Sequence, residues 1–404
     1  MSTEAAALAR MVGRAGRTLP KLADPGAPLL QVTDLSVRFT LAQGYLTAVD
    51  GVSFRLDDGE ALGIAGESGC GKTTTALSLL QLLPSNGRIR TGRVELYGID
   101  LAQKSEAALA RYRWREISIV FQGAMNALNP VRRVRDQIAE PIIVRLGATE
   151  SDARARALQL LDLVGIPKQR GTAYPHELSG GMRQRAMIAM ALACDPAIVI
   201  GDEPTTALDV MVQAQILELL ERLRRELGLS LILITHDLSV IAETCDKTLI
   251  MYAGRVAEEG PVSRVFTAPR HPYTQALLRA FPNIRADRRT LDVIPGNLPD
   301  MRDPPPGCRF APRCPFAMDV CREVTPPEVT MTDGVRVACH LYPTPDAAIV
   351  EPAPIAQVGA DAPVDDVVPS ADNSNLRDVA EAPADGMPAD DAPADEAPID
   401  DARR

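Results

Sequence analysis

Eight residues constrain this chain more than any other stretch: Gly66-Glu67-Ser68-Gly69-Cys70-Gly71-Lys72-Thr73. They read G-x-x-x-x-G-K-T, between an apolar strand-like run, Ala61-Leu62-Gly63-Ile64-Ala65, and a helical pattern from Thr74 to Leu83. That is the context a phosphate-binding loop needs. The glycines let the backbone curl with its N–H groups inward, and the helix N-terminus behind them carries partial positive charge. Lys72 is placed to reach β- and γ-phosphates, and the Thr73 hydroxyl to ligate Mg²⁺. An ordinary glycine-rich turn would account for neither side chain. An α/β fold organised around a nucleotide site is expected.

The rest of the chain supports that class. Ahead of the loop, β-favouring runs at Leu30 to Thr40 and Tyr45 to Leu56 read as an antiparallel sheet. Further strands are expected at Arg88 to Tyr97 and Glu116 to Phe121. From Met125 the pattern turns helical, with segments at Val134 to Leu146 and Asp152 to Val164, and a helix–turn–helix region continues to Cys194. Ala197 to Gly201 and Leu231 to Thr235 are buried-strand runs on either side of an amphipathic helix, Val210 to Leu227, whose Val212, Ile216, Leu219, Leu223 and Leu227 share one face. Lys247 to Tyr252 and Arg255 to Glu259 form a hairpin about Ala253-Gly254. Strands alternating with helices indicate a parallel core, interrupted by an inserted helical lobe. Past Pro261 the chain reads as irregular and proline-rich, then cysteine-bearing.

Charge has to be divided before it means anything. The net charge is −10, but from Leu341 onward fifteen Asp and Glu face three Arg, so the first 340 residues carry about +2. The acidity belongs to an Ala/Pro/Asp tail, which is expected to be disordered because it cannot bury enough apolar area to offset ordering entropy. No large basic surface argues for nucleic acid. No apolar run approaches the ~20 residues that cross a bilayer, and Arg10 and Arg14 break up the Ala-rich start, so a cytosolic chain without a signal peptide is expected. Seven cysteines in such a chain are not a disulfide framework.

Two further motifs carry chemistry. Ile198-Val199-Ile200-Gly201-Asp202-Glu203 is an apolar strand ending in two carboxylates. Asp202 is placed to hold the Mg²⁺ shell and Glu203 to polarise an attacking water. Leu178-Ser179-Gly180-Gly181-Met182-Arg183-Gln184-Arg185 is a helix start: Ser179 caps it, and two glycines leave the first-turn N–H groups open to an anion. Lying between the loop and the paired carboxylates, LSGGMRQR resembles the signature of ATP-binding cassette (ABC) proteins.

The resemblance covers about residues 29–340 and assigns further positions. Gln122, in Val120-Phe121-Gln122, matches the glutamine that joins Mg²⁺ and water to the helical lobe. Ala207-Leu208-Asp209 matches the D-loop, and His236 the switch histidine that contacts the γ-phosphate. Phe39 lies where the family keeps an aromatic that stacks on adenine, with Tyr45 as its competitor. The implied ATP contacts are Phe39, Gly66 to Thr73 including Glu67, Ser68, Gly69, Cys70 and Gly71, then Thr74, Ser179, Gly180, Gly181 and Asp209; Thr73, Gln122 and Asp202 hold Mg²⁺; Glu203, His236 and Gln122 are catalytic. Pro175-His176-Glu177, His271-Pro272-Tyr273-Thr274, Met125-Asn126-Ala127-Leu128-Asn129-Pro130 and the late cysteines resemble ATPase subunits of dipeptide and oligopeptide importers. Nickel, glutathione and some sugar importers share this ATPase type.

Cys308, Cys314, Cys321 and Cys339 are separated by five, six and seventeen residues, without the C-x₂₋₄-C knuckles of zinc ribbons. Such a set suits an iron–sulfur cluster at least as well as zinc; unligated thiols are the bland alternative. The resemblance favours [4Fe–4S], with His340 a substitute ligand. Cys70 stands where only backbone need touch phosphate, and Cys194 and Cys245 read as small hydrophobes.

The resemblance implies a P-loop ABC ATPase cassette with an antiparallel β subdomain and a helical lobe, a small cysteine-containing C-terminal domain and the disordered tail. Expected boundaries are 1–27 for a flexible extension, 28–262 for the cassette (lobe about 123–190), 263–345 for the cysteine-bearing region and 346–404 for the tail. One loop and one signature imply half of a composite site, completed by a second ATPase subunit, either a related chain or another copy of this one. Two membrane-spanning permease subunits and an extracytoplasmic binding protein follow, with the chain peripheral on the cytoplasmic face. A soluble, non-transport ABC ATPase is the alternative of another class; it would normally carry a second cassette or a long coiled coil, and neither is present.

Overall fold

The computed structural model describes residues 27–121, 127–206, 208–280 and 294–350. Gln122 to Asn126, Ala207, the N-terminal extension up to residue 26 and the acidic tail from residue 351 lie outside the described residues, so the expectations placed there are not addressed. The described residues all belong to one compact unit.

Two sheets form its frame. The first is antiparallel, in the order β2 (Tyr45–Leu56), β1 (Leu30–Thr40), β4 (Gly87–Leu96), β5 (Ile99–Asp100). The second has a parallel centre, β9 (Lys247–Tyr252), β3 (Ala61–Ala65), β8 (Ser230–Ile234), β7 (Ile198–Asp202), β6 (Ile117–Val120). Every residue of β3, β7 and β8 is buried, which is why these strands read as continuous apolar runs rather than alternating ones. The β3–β8 register sets Ile64 beside Ile234, and the β7–β8 register sets Asp202 beside Ile234 as well. The carboxyl ends of three strands therefore finish level, where open α/β sheets place their sites.

Helices cover the sheet. α1 (Lys72–Leu79) follows the glycine loop and begins earlier than the sequence pattern suggests. The lobe consists of α2 (Val134–Leu146), α3 (Glu150–Leu163) and α4 (Gly180–Ala191). Thr149 caps α3 by accepting from the Asp152 N–H at 3.2 Å, and Ile138, Leu160, Leu161 and Met187 are buried together. Each such side chain contributes roughly 1.5–3 kcal/mol. α5 (Val210–Leu227) is held at both ends: Asp209 Oδ1 accepts from the Val212 N–H at 3.0 Å, and Gly228 is left-handed. α6 (Leu238–Thr244) lies against β3, and a side chain at Gly63 would put its Cβ 2.6 Å from Ile241 Cγ2.

Past Pro261 the expectation of irregular chain is corrected. A helix, α7 (Pro272–Ala280), is present, and beyond the expected hairpin strand β10 (Arg255–Pro261) the sheet continues through β12 (Arg336–Ala338) and β11 (Glu328–Thr330). The start of α7 is fixed from twelve residues away: buried Glu258 accepts from the Arg270 and His271 N–H groups, each at 2.9 Å. Burial pushes the Glu258 carboxyl up to about 7 and the His271 imidazole down to about 4. Through the β10–β12 pairing the cysteine-bearing segment is tied to the edge of the second sheet. Among the described residues no helix is long and apolar enough to cross a membrane.

Candidate active site

β3 delivers the chain into the loop, and two glycines shape it. Gly66 has φ +147°, and a Cβ there would lie 2.1 Å from the Met251 carbonyl oxygen. Gly71, at φ +102°, would meet the Ala48 carbonyl at 2.5 Å. The loop opens onto a cavity of about 370 Å³ lined by Ser68, Gly69, Gly71, Lys72, Thr73 and Thr74, with Glu203 opposite. Phe39, Leu46 and Ala48 form its apolar wall, whereas Tyr45 is not among the lining residues and is 60% exposed. Leu46 and Ala48 were not anticipated; their signal was only the alternation of β2. Gly66, Glu67 and Cys70 sit behind the lining. Cys70 is buried, and burial raises its thiol pKa.

Lys72 is buried at the floor of the loop. Its ammonium donates to the Gly66 carbonyl at 2.7 Å and the Glu67 carbonyl at 3.0 Å. Next to it, Thr73 Oγ1 donates to Asp202 Oδ1 at 3.1 Å. Burial raises the Asp202 carboxyl above its ordinary range; the Thr73 bond and the Lys72 charge oppose that, while Glu203 reinforces it. A hydroxyl and a carboxylate side by side beneath a phosphate loop fit Mg²⁺, which takes one or two protein oxygens and completes its shell with phosphate and water.

Glu203 follows β7 with φ +45°, uncommon for a residue other than glycine, and its N–H is held by the Ile234 carbonyl at 2.8 Å. Its carboxylate accepts from Thr206 Oγ1 at 2.9 Å and stands 3.4 Å from His236 Nδ1. Backbone strain of this kind is held only where the surroundings over-determine it. His236 leaves β8 and is 64% exposed, at the mouth of the site. The structure therefore brings together Lys72, Thr73, Asp202, Glu203 and His236 from three parts of the sequence. Gln122 is outside the described residues.

The signature does not join them. Ser179 caps α4, accepting from the Met182 N–H at 3.3 Å, and Gly181 packs so close to α5 that a Cβ would lie 2.7 Å from Val212 Cγ1. Ser179, Gly180, Gly181 and Asp209 do not line the loop cavity of their own chain.

Cys308, Cys314, Cys321 and Cys339 do converge. They line one small enclosed cavity with His271, Phe310 and Phe316. Burial, reinforced by the neighbouring thiols, pushes Cys314 up to about 11 and Cys339 to about 12. A ring nitrogen of His340 donates to the Val324 carbonyl at 2.9 Å. Four thiols are by chemistry the donor type of an iron–sulfur cluster. Among the described residues, however, no group of three or more His, Cys, Asp or Glu is placed to hold a metal ion. Cys245 is pushed by burial to about 12, and Cys194 Sγ donates to the Pro141 carbonyl at 3.4 Å, consistent with packing roles.

A family model described as ABC transporter matches residues 49–206, and one described as oligopeptide/dipeptide transporter, C-terminal region, matches residues 257–321. Over 321 residues the chain is 47% identical to the dipeptide transport ATP-binding protein DppD of Escherichia coli (strain K12), covering 79% of this chain and 98% of that one. Over 324 residues it is 46% identical to the oligopeptide transport ATP-binding protein OppD of the same organism, covering 80% and 96%. Among solved structures it is similar to a dimeric bacterial ABC transporter cassette, with 28% identity and a TM-score of 0.52 over 58% of this chain and 98% of that one. A dimeric cassette in a post-hydrolysis state bound to ADP and phosphate gives 27% identity and a TM-score of 0.53 over the same shares.

Proposed function

Since the chain belongs to the ATP-binding proteins of ABC transporters, we propose that it is the ATPase subunit of an importer of dipeptides or oligopeptides. The observation that carries the ATPase part is the convergence of Lys72, Thr73 and Glu203 on one cavity, with Asp202 bonded to Thr73 and His236 beside Glu203. The peptide part is supported by the match of residues 257–321 to the oligopeptide/dipeptide C-terminal region and by the names of the relatives.

The phosphates of ATP lie against the loop amides and Lys72, with adenine on Phe39. Thr73 and Asp202, with Gln122, would hold Mg²⁺, whose charge would offset that of the phosphate oxygens. Glu203 takes the proton of the attacking water, and His236 steadies the γ-phosphoryl from the mouth of the site. The open side of the cavity is covered by Ser179, Gly180, Gly181 and Asp209 of a second cassette, a related chain or another copy. Positioning and fixed charge do most of the work in such a reaction.

The lobe carries the coupling surface. Exposed Val131, Ile143 and Val144 border a groove of about 430 Å³ flanked by Arg132, Glu140 and Tyr174. We assign it to a cytoplasmic helix of a membrane-spanning permease, which places the chain on the cytoplasmic face beside two permease subunits. In proteoliposomes holding the whole complex, peptide-loaded binding protein is expected to raise ATPase activity several-fold. Val144→Asp is expected to abolish that stimulation while leaving ATP binding by the isolated chain unchanged. Stimulation by nickel or glutathione with their binding proteins, and not by peptide, would refute the peptide reading.

We further propose that Cys308, Cys314, Cys321 and Cys339 hold a [4Fe–4S] cluster as a structural staple, supported by their convergence on one cavity. Protein purified without oxygen is expected to contain about four iron and four inorganic sulfide per chain. Stoichiometric zinc without iron would overturn it.

A further inference from the structure

The nucleotide loop is gripped from behind by residues more than two hundred positions away. Arg313 binds the Glu67 carboxylate bidentately, Nη1 donating to Oε2 at 2.9 Å and Nη2 to Oε1 at 3.0 Å. Its remaining donors reach the Tyr252 hydroxyl at 3.2 Å and the Ile294 and Pro295 carbonyls at 3.2 and 2.7 Å. The guanidinium also stands 5.7 Å from the centre of the Tyr252 ring. Tyr273, fully buried, accepts the Glu67 N–H on its hydroxyl at 2.9 Å. From the other direction, the Glu67 carbonyl takes the Lys72 ammonium. Glu67 thus joins the phosphate-binding lysine to the cysteine-bearing segment.

We propose that Arg313 and Tyr273 are positioning residues for ATP, making the cysteine-bearing segment part of the nucleotide site. The proposal rests on the reading of the loop as an ATP site. Two physical consequences follow from the grip. A carboxylate in a phosphate loop repels the ligand unless it is neutralised, and the bidentate Arg313 fork does that. Holding both the N–H and the carboxylate of Glu67 also fixes the carbonyl against which Lys72 is aligned. Arg313 is followed directly by Cys314, so the thiol cavity and the grip share one turn of chain.

The test is a charge-compensation cycle on the full chain, read as the Kd of a fluorescent ATP analogue. Arg313→Ala is expected to weaken binding about tenfold by leaving Glu67 unpaired. Glu67→Gln alone should weaken it about two- to threefold, and the double variant should recover to within about threefold of the parent. Tyr273→Phe, which keeps the ring and its packing, should weaken binding about threefold. A purely structural tie would leave the double variant no better than Arg313→Ala, and that result, or unchanged binding in Arg313→Ala, overturns the proposal. Lys72→Ala separates the two readings. If it loses ATP while the Arg313 and Tyr273 variants do not, the grip is wrong; if it binds normally, the ATP site itself is wrong.

Discussion

Glu203→Gln is expected to keep ATP bound and to lower turnover of the assembled complex about 10²–10³-fold. The substitution preserves shape and one oxygen. The amide can still accept from Thr206, whose hydroxyl meets the carboxylate at 2.9 Å, and the backbone N–H bond to the Ile234 carbonyl is untouched. What disappears is the ability to take a proton from water. The surroundings favour that role: Glu203 faces the loop cavity across from Lys72 and Thr73, and it sits beside His236. The loss should fall on the chemical step, so single-turnover hydrolysis must slow while the Kd for ATP stays within about twofold. Near-normal hydrolysis would remove Glu203 from its assignment and leave Asp202, whose burial suits metal binding better than proton transfer.

Much of this site is legible in the sequence because its parts are local. A glycine loop needs a strand before it and a helix after it, and all three lie within Ala61 to Leu79. The buried strands β7 and β8 announce themselves as unbroken apolar runs, and Asp202, Glu203 and His236 then follow from where those runs stop. Phe39 was distinguishable from Tyr45 only once the β1–β2 register set Thr40 opposite Tyr45 and Phe39 opposite Leu46, turning one ring to the cavity and the other to solvent.

The remainder was hidden for physical reasons of two kinds. β11 and β12 are three residues each, too short to show a period, and α7 begins at a proline after a proline-rich run. The other kind is distance along the chain. Nothing near Glu67 signals Arg313, which is 246 residues away. Nothing near Arg270 signals that Glu258 caps the helix that follows, since that cap is made by a strand residue rather than by the usual neighbour. The one faint hint is His271-Pro272-Tyr273-Thr274, a family mark whose Tyr273 hydroxyl holds the loop.

Lys72→Ala should be the more severe change for binding, weakening ATP by about 10²-fold or more. Lys72 is 7% exposed, and both of its carbonyl partners belong to the loop it serves. The ammonium therefore does two things at once. It closes the loop on itself through Gly66 and Glu67, and it presents a positive charge at low exposure where phosphate oxygens arrive. Removing it deletes a charge-assisted contact to ATP and leaves two carbonyl oxygens pointing into an anion site, so the two effects add in the same direction. The Asp202 carboxyl also loses a nearby cation that opposes its upward shift, which weakens its claim on Mg²⁺. Lys72→Arg should not rescue, because a planar fork cannot lie between the Gly66 and Glu67 carbonyls and still point at phosphate. Equilibrium binding of the ATP analogue with and without Mg²⁺ checks this: the parent should gain affinity from the metal, and Lys72→Ala should gain much less. A variant that binds as tightly as the parent, with the same metal dependence, would overturn the assignment of this loop as the ATP site.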